Sequence, residues 1–317
     1  MVKITIIGAG SVGSTIAYTL AVQGTASEIL MIDVNEDKAE GEAMDIKQGT
    51  PFCPSPVNIS AGTYQDARGS DIVIITSGVG RKPGQTRLDL TRTNVDILKN
   101  VASEIVKYAP SAIYLIVSNP VDILTYVFCK ISGVPLHHII GSGTILDTAR
   151  LRERIAAYYD ISKTNIHASV YGEHGDSSFV PWSVATISNV PIREYSARVT
   201  RYNSDGLHPV FSEEEVEGYI RKSGARIIER KGATNYAVAI AVCHICRALL
   251  SETTTSLAVS TMIHGDYGID DVCLSTPTLV NRRGIVGRVR MMLTDEELEK
   301  LHHSADCLRE VIDQLEL

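Results

Sequence analysis

The segment from Gly172 to Ser177 contains the side chain in this sequence that is best suited to proton transfer. Within it, His174 stands between the carboxylates of Glu173 and Asp176. The ordinary pKa of an imidazole lies close to neutrality, so it can accept a proton from an alcohol and return it to a carbonyl within one cycle. A second group must then carry the hydride. The segment therefore indicates hydride-transfer chemistry, provided that the chain also binds a hydride carrier.

The amino terminus contains a motif for such a carrier. Lys3 to Ile7 predicts a buried strand and Ser14 to Gln23 an apolar helix, and the turn between them reads Gly8-Ala9-Gly10-Ser11-Val12-Gly13. Gly8 permits a tight turn, Gly10 lets a pyrophosphate approach the backbone, and Gly13 allows the helix to pack closely on the strand. The residues that we expect to contact the dinucleotide here are Gly8, Gly10, Val12 and Gly13.

A carboxylate follows the second predicted strand. The run from Glu28 to Ile32 leads into Asp33, 20 residues after Gly13, where an acidic side chain can accept hydrogen bonds from the adenosine ribose. No arginine follows Asp33 immediately, so a ribose phosphate would be repelled. The pattern favours NAD over NADP as cofactor. The alternative is a glycine-rich turn with an unrelated aspartate.

The composition excludes several other classes of function. A chain of 317 residues with 44% hydrophobic and 21% charged residues can bury a large core and form two domains. The formal net charge of -7 argues against a nucleic-acid or membrane surface, so local arginines must bind any anionic substrate. The first residues lead directly into a strand, and no apolar stretch could span a bilayer, which predicts a cytoplasmic protein.

The cysteines predict a reducing compartment and no metal site. Six cysteines are scattered without the spacing of a disulfide framework. Cys243 and Cys246 share one face of a predicted helix, but no second cluster supplies further metal ligands. We therefore expect both to be buried core thiols.

Residues 1–144 predict a doubly wound parallel sheet, the Rossmann architecture, because β-branched apolar runs alternate with helices. The predicted strands are Ile4 to Ile7, Ile29 to Ile32, Val57 to Ser60, Asp71 to Thr76, Ala112 to Val117 and His138 to Ile140. The helices between them are Asp37 to Lys47, Leu88 to Tyr108 and Val121 to Ser132. The strand ends should bring Gly8 to Gly13, Thr76 to Arg87 and Val117 to Asp122 to one cleft.

Residues 145–317 predict an α+β catalytic domain. Its predicted helices are Leu146 to Tyr159, Glu213 to Arg230, Asn235 to Leu250 and Asp295 to Leu315. Two strands are expected around Ile166 to Tyr171 and Pro181 to Ile187, and an antiparallel meander from Ser256 to Thr261, Asp271 to Pro277 and Thr278 to Val286.

Six motifs occur in a characteristic order along the chain. They are Gly8 to Gly13, Val117-Ser118-Asn119-Pro120-Val121-Asp122, Gly141-Ser142-Gly143-Thr144, Leu146-Asp147-Thr148-Ala149-Arg150, Gly172-Glu173-His174-Gly175-Asp176 and Lys231-Gly232-Ala233-Thr234. With these motifs, the chain from Met1 to Leu317 resembles the lactate and malate dehydrogenase superfamily, on its bacterial lactate dehydrogenase branch.

The resemblance implies a role for each polar residue of the motifs. His174 matches the family's proton-transfer histidine, and Asp147 the carboxylate that holds the other ring nitrogen. Arg150 lies one helical turn after Asp147 and matches a bidentate clamp for the substrate carboxylate. Asn119 is similar to the residue that bonds both nicotinamide and substrate, and Thr234 to part of the substrate pocket. The resemblance also implies cofactor contacts from Lys38, Gly78 and Val117.

The segment from Gly78 to Arg87 resembles the family's mobile lid. Arg87 matches the lid arginine that polarises the substrate carbonyl once water is excluded. Arg81 departs from the usual lactate pattern, because lactate dehydrogenases commonly carry glutamine there and malate dehydrogenases arginine. Arg81 alone favours malate and oxaloacetate, whereas Gly141 to Thr144 and Thr234 match the lactate branch. We interpret the chain as interconverting L-lactate and pyruvate, in glycolysis and fermentation, with malate as the alternative.

Two further expectations concern regulation and assembly. Arg152 and His167 match positions that bind fructose 1,6-bisphosphate between subunits in some bacterial relatives, and the family is usually a homotetramer. Two other functions stay open: an NAD-binding regulatory protein without catalysis, and a 2-hydroxy-acid dehydrogenase of broader chain-length preference.

Overall fold

Six parallel strands form the centre of the molecule. The structure is a computed structural model that describes residues 1–80, 86–199 and 211–315, except for the side chain of Arg87. The strands are β1 (Lys3–Ile7), β2 (Glu28–Ile32), β3 (Asn58–Ala61), β4 (Ile72–Ile75), β5 (Ile113–Ile116) and β6 (Ile139–Gly141). They pair in the order β3-β2-β1-β4-β5-β6, with every pair parallel. This is the strand order of a Rossmann sheet and confirms the predicted fold class.

Helices connect these strands on both sides of the sheet. They are α1 (Ser11–Val22), α2 (Glu36–Gly49), α3 (Arg87–Tyr108) and α4 (Val121–Ile131). All residues of β4 and β5 are buried, as expected for parallel strands that helices cover on both faces. The first helix begins at Ser11 and not at the predicted Ser14, so Gly13 lies inside its first turn.

The second half of the chain begins with a helix and a small sheet. It contains α5 (Ile145–Tyr159), β7 (Ile166–His167), β8 (Thr186–Ile187), β9 (Val190–Pro191), α6 (Ile192–Arg198) and α7 (Glu213–Lys231). The predicted strand from Pro181 to Ile187 was mostly wrong, because Trp182–Val184 form a 3-10 turn and only the last two residues form β8. The strand from Ile166 was predicted too long, since β7 ends at His167. A core of apolar residues from α5, α7 and this sheet packs around Trp182.

The chain then returns to the main sheet. It forms α8 (Tyr236–Leu249), β10 (Thr255–His264), β11 (Asp270–Asn281), β12 (Gly284–Arg288) and α9 (Asp295–Ile312). Strand β10 pairs antiparallel with β6 through Ser260 and Gly141, which extends the Rossmann sheet to nine strands within the described residues. Helices α1, α2 and α8 cover one face of this sheet, and α3, α4 and α9 cover the other.

A second prediction, of two strands in the region of Pro277, was wrong. The sequence predicted two strands that meet at Pro277, but β11 runs through this residue without a break. Pro277 lies just beyond the end of β12, where its carbonyl accepts a hydrogen bond from Val289 N–H at 2.9 Å. In an antiparallel pair the return bond would run from the N–H of residue 277 to the Val289 carbonyl, so proline ends the β11–β12 ladder at this point, a position in which a sheet tolerates it.

The turn after β1 depends on close contact between backbones. Gly8 has a φ of +106°, and a Cβ atom added to Gly13 would lie 1.8 Å from the Gly8 carbonyl oxygen. The Thr76 hydroxyl donates to the same oxygen at 3.0 Å. The end of β4, the glycine turn and the first turn of α1 thus form one packed unit, in which no side chain fits at position 13.

This packing predicts opposite effects for two helical Gly→Ala substitutions. Gly13→Ala should lower the free energy of unfolding by about 1–3 kcal/mol, because the added methyl overpacks the turn. Gly41→Ala should raise it by about 0.5–1 kcal/mol, because Gly41 is an exposed interior residue of α2 with open space around an added Cβ. Urea unfolding at equal protein concentrations measures both values. Equal effects of the two substitutions would contradict the packing described here.

Candidate active site

The carboxyl ends of four neighbouring strands meet at one edge of the sheet. Gly8, Thr76, Val117 and Ser142 follow β1, β4, β5 and β6, as predicted for the cleft of a doubly wound sheet. Asn94 of α3 forms hydrogen bonds with the segments that follow β4 and β5. Its amide group donates to the carbonyls of Val79 at 3.2 Å and Asn119 at 2.8 Å, and its oxygen accepts the Val79 N–H at 2.8 Å.

The residues around the glycine turn fit a dinucleotide. Asp33 lies directly beside the turn, since its carboxylate accepts the N–H groups of Ala9 at 2.6 Å and Asn35 at 2.9 Å. Gly10 is the N-cap residue of α1 and provides no side-chain cap, and a Cβ added to it would meet nothing within 4 Å. The helix therefore presents backbone N–H groups and its positive end to open space, an arrangement that binds phosphate.

The remaining predicted cofactor residues are distributed around this edge. Val12 lies in the first turn of α1, Gly78 packs against Asn94, and Val117 lines the pocket described below. Lys38 is exposed in the first turns of α2, and its backbone N–H donates to Asn35 Oδ1 at 3.1 Å. Its assignment as a cofactor contact stays a prediction.

The polar centre of the site is a carboxylate shared by two cationic side chains. Asp147 Oδ2 lies 2.5 Å from His174 Nδ1, and Asp147 Oδ1 accepts a hydrogen bond from Arg150 Nη1 at 2.8 Å. The helical spacing of α5 places Asp147 and Arg150 on one face. The side chain of Asp147 is 8% exposed, that of Arg150 15% and that of His174 29%. The three side chains that the sequence placed in one site are in direct contact.

The electrostatics of this group favour a protonated imidazole. Burial alone would raise the pKa of Asp147, but the His174 and Arg150 charges and hydrogen bonds lower it below its ordinary value. The negative charge of Asp147 raises the pKa of His174 to about 9, against the opposing effect of burial. At neutral pH the pair is an aspartate and an imidazolium, which is the form that donates a proton.

A small pocket with a cavity volume of about 40 Å³ opens beside His174. Polar atoms from Asn119 and His174 lie at its wall, and most of the rest is apolar. The lining residues are Val117, Asn119, Ser142, Gly143, Ile145, Leu146, His174, Val238, Ala241 and Val242. A mainly apolar pocket with a few convergent polar groups is typical of a small-ligand site.

Other predicted site residues lie elsewhere or outside the description. Thr234 is half-buried just before α8 and is not among the residues that line the pocket. Arg81 lies outside the described residues, as does the side chain of Arg87, whose backbone begins α3. Arg152 follows Arg150 on α5, and its Nε donates to the Ala168 carbonyl at 2.9 Å, next to the exposed His167.

Sequence analysis missed three contributors to the site. Asn94 fastens the strand ends, Asp122 accepts the His174 backbone N–H, and α8 supplies an apolar wall through Val238, Ala241 and Val242. The apolar period of α8 predicted a helix but not which face would meet the pocket. Asp122 belongs to a motif that the sequence identified, and its polar side chain in an apolar run was the available signal.

Two further observations concern metals and membranes. Cys243 and Cys246 are both buried, and burial raises the pKa of Cys243 to about 12. Within the described ranges, no three His, Cys, Asp or Glu side chains are grouped so that they could hold a metal ion. None of the helices that the structure describes has the length and apolar character needed to cross a membrane.

Two family models together match nearly the whole chain. Residues 2–141 match the lactate/malate dehydrogenase NAD binding domain, and residues 144–316 match the lactate/malate dehydrogenase alpha/beta C-terminal domain. The chain therefore belongs to the lactate/malate dehydrogenase family, and its cofactor is NAD.

Relatives of the chain include enzymes of both branches. The L-lactate dehydrogenase of Thermoanaerobacterium saccharolyticum is 44% identical over 317 residues, which cover 100% of each chain. The crystal structure of the minor L-lactate dehydrogenase from Enterococcus mundtii matches with a TM-score of 0.94 at 36% identity, over 100% of this chain and 99% of that one. The malate dehydrogenase of Archaeoglobus fulgidus in complex with NADH matches with a TM-score of 0.86 at 36% identity, over 99% of each chain.

The raised pKa of His174 predicts the pH dependence of 2-oxo acid reduction. A base whose pKa is raised stays protonated up to that pKa, so kcat/KM should stay level to about pH 9 and then fall about tenfold per pH unit. Asp147→Asn removes the main cause of the raised pKa, so the fall should begin at lower pH. Initial rates of NADH oxidation between pH 6 and pH 10 measure both profiles. An unchanged profile in Asp147→Asn would contradict this origin of the shift.

Proposed function

We propose that this chain interconverts L-lactate and pyruvate with NAD as hydride carrier and His174 as proton acceptor and donor. The observation that carries the proposal is the contact between His174 Nδ1 and Asp147 at 2.5 Å. It fixes the tautomer and orientation of the ring, and it leaves Nε2 as the nitrogen that can exchange a proton with a substrate in the adjoining pocket.

Other side chains of the site bind, orient and polarise the substrate. Arg150 uses one of its five guanidinium N–H groups for Asp147, so others can bind a substrate carboxylate bidentately. Asn119, at the pocket wall, orients the substrate, and Arg87 polarises the 2-oxo group from the lid. NAD supplies the hydride acceptor in the oxidation of lactate, and NADH the donor in the reverse direction.

The choice of lactate over malate rests on two kinds of support. The relatives that match across the full chain include enzymes named L-lactate dehydrogenase, and the pocket beside His174 has a largely apolar lining that suits a methyl group. Malate stays the second candidate because of Arg81, which could pair with a second carboxylate. We also propose that the activity serves glycolysis and fermentation, and that the catalytic domain spans residues 145–317 after an NAD-binding domain of residues 1–144.

Substrate comparison tests the proposal. NADH oxidation should be faster with pyruvate than with oxaloacetate in the wild type, and Arg81→Gln should increase this preference, because it removes a cation that only a second carboxylate can pair. His174→Asn should lower kcat/KM for pyruvate by at least about 100-fold, since a general acid contributes about 10²–10⁴-fold. A wild-type preference for oxaloacetate would favour malate, and full activity in His174→Asn would favour a binding protein without this catalysis.

We further propose that fructose 1,6-bisphosphate binds near Arg152 and His167. Burial lowers the pKa of the Arg152 guanidinium, so an anion beside it would compensate for lost hydration. Burial and the positive charges of Arg247 and Arg152 also lower the pKa of His244, which places several basic groups in one region. Such a cluster favours a polyanion.

Kinetics with the bisphosphate test this site. Fructose 1,6-bisphosphate should lower the KM for pyruvate in the wild type, and Arg152→Gln should abolish that effect. Arg154→Gln is the matched control, because Arg154 is an exposed arginine on the same helix that packs over the Tyr219 ring, and it should retain the response. Absence of any bisphosphate effect in the wild type would remove this assignment.

A homotetramer and a cytoplasmic location complete the proposal. Several large apolar side chains are exposed on α1, α2 and α8, which cover one face of the sheet: Tyr18, Val22, Met44, Tyr236 and Ile240. Such a surface suits contact with another subunit, and sedimentation would establish the number of subunits. All six cysteines are free thiols, which is consistent with a reducing compartment.

A further inference from the structure

The loop that carries His174 is held by three different elements. Two backbone hydrogen bonds between Tyr171 and Phe179 close the loop. Three successive N–H groups then bind outside it. Gly172 donates to the Ser275 carbonyl of β11 at 3.0 Å, Glu173 to the Ser304 hydroxyl of α9 at 2.7 Å, and His174 to Asp122 Oδ2 of α4 at 2.7 Å.

The contact with Asp122 differs from the other two. Asp122 is only 2% exposed, and it is the one acceptor of the three that carries a charge. Its second oxygen and the hydroxyl of Ser260 are both buried, and neither makes a hydrogen bond of good geometry within the described residues. Burial raises the pKa of Asp122 to about 6, although Ser260 and the His174 backbone N–H lower it. Asp122 therefore keeps a costly buried charge.

The position of Asp122 connects His174 to the substrate-binding edge of the sheet. Asp122 lies in the first turn of α4, three residues after Asn119, which lines the pocket. One short rigid turn thus holds both a pocket residue and the backbone of the proton-transfer histidine. A displacement of about 1 Å in such an arrangement can cost about 100-fold in rate.

An uncharged side chain could accept the same hydrogen bond. Asparagine has the shape of aspartate and a carbonyl oxygen in the same place, and it would avoid the cost of burying a charge. The charge is therefore not needed for the backbone contact. The charge of His174 lowers the pKa of Asp122, whereas that of Glu173 raises it. In turn, the charges of Asp147 and Asp122 favour the protonated form of His174, and that of Arg150 opposes it.

We propose that Asp122 is a positioning residue for the reaction, which fixes the His174 backbone to the turn after Asn119 and supplies a second buried negative charge for the imidazolium. The proposal deepens the proposed function, because it assigns the group that keeps the proton donor in place. Asp122 is not among the residues that line the pocket, so we assign its effect to His174.

Two substitutions separate the two parts of this role. Asp122→Asn keeps an acceptor for the His174 N–H but removes the charge, so the pKa of His174 should fall below about 9, and kcat/KM for pyruvate should begin to fall at a lower pH than in the wild type. Asp122→Ala removes both, and kcat/KM should fall by about 10–100-fold. NADH affinity, measured by fluorescence titration, should be unchanged in both variants and reports that the fold is intact.

Ser304→Ala is the matched control for a loop anchor without charge. It removes the acceptor of the neighbouring Glu173 N–H, so it should leave the pKa of His174 unchanged whatever it does to turnover. The pKa is read in all variants from the imidazole signals of labelled histidine by NMR, with Glu173, Asp147 and Arg150 intact. This titration requires no turnover, so it tests Asp122 even if pyruvate is not the substrate.

The outcomes are decisive for each part. If Asp122→Asn titrates as the wild type does, the charge has no role and the proposal fails. If Asp122→Ala binds NADH normally and keeps wild-type kcat/KM, the backbone contact has no role and the proposal fails. If Asp122→Ala does not fold, Asp122→Asn alone decides. Failure of the proposed function would instead appear as absent turnover of pyruvate by the wild type.

Discussion

The site depends on one buried carboxylate that two cations share. Asp147 is 8% exposed and binds His174 through one oxygen and Arg150 through the other. A buried aspartate is stable in its charged form only with such partners, and each partner is in turn held in a defined orientation. The proton donor and the carboxylate clamp therefore have a fixed relative geometry before a substrate binds. Loss of this carboxylate would release both groups at once.

The continuous sheet makes that geometry rigid across the two halves of the chain. Strand β10 pairs with β6, so the elements that follow the Rossmann strands are built onto the same sheet. Thr144, at the start of α5, fastens the junction, because its N–H donates to Ser275 Oγ at 3.0 Å and its hydroxyl to the Val170 carbonyl at 2.5 Å. Helix α5 with Asp147 and the loop with His174 are thus anchored to one another and to β11.

The sequence predicted the parts of this arrangement that depend on local pattern. The strands from Ile4, Asp71 and Ala112 could be predicted because both faces of a parallel strand are apolar. Helix α3 was predicted from Leu88, and the structure adds Arg87 after a capping box of Thr86 and Asp89. The pairing of β10 with β6 and the passage of β11 through Pro277 could not, because both depend on which strand lies alongside. The roles of Asn94 and Asp122 likewise arise from contacts across 25 and 52 residues. Family resemblance, and not spacing, identified His174, Asp147 and Arg150 together.

The charges of the site relate substrate binding to the proton on His174. When the imidazole is protonated, the positive charges of Arg150 and His174 balance the negative charges of Asp122 and Asp147. Loss of the proton leaves an excess of negative charge among these groups, which repels a carboxylate in a weakly screened pocket. An anionic 2-oxo acid should therefore bind best to the form that can donate a proton. A bound anion in turn stabilises the imidazolium, so binding and protonation favour each other by linkage. In the opposite direction, a 2-hydroxy acid needs the neutral imidazole and must bind against this charge. Asp147 on the ring and Asp122 on the backbone of His174 thus set the pH range in which the 2-oxo acid meets a protonated imidazole.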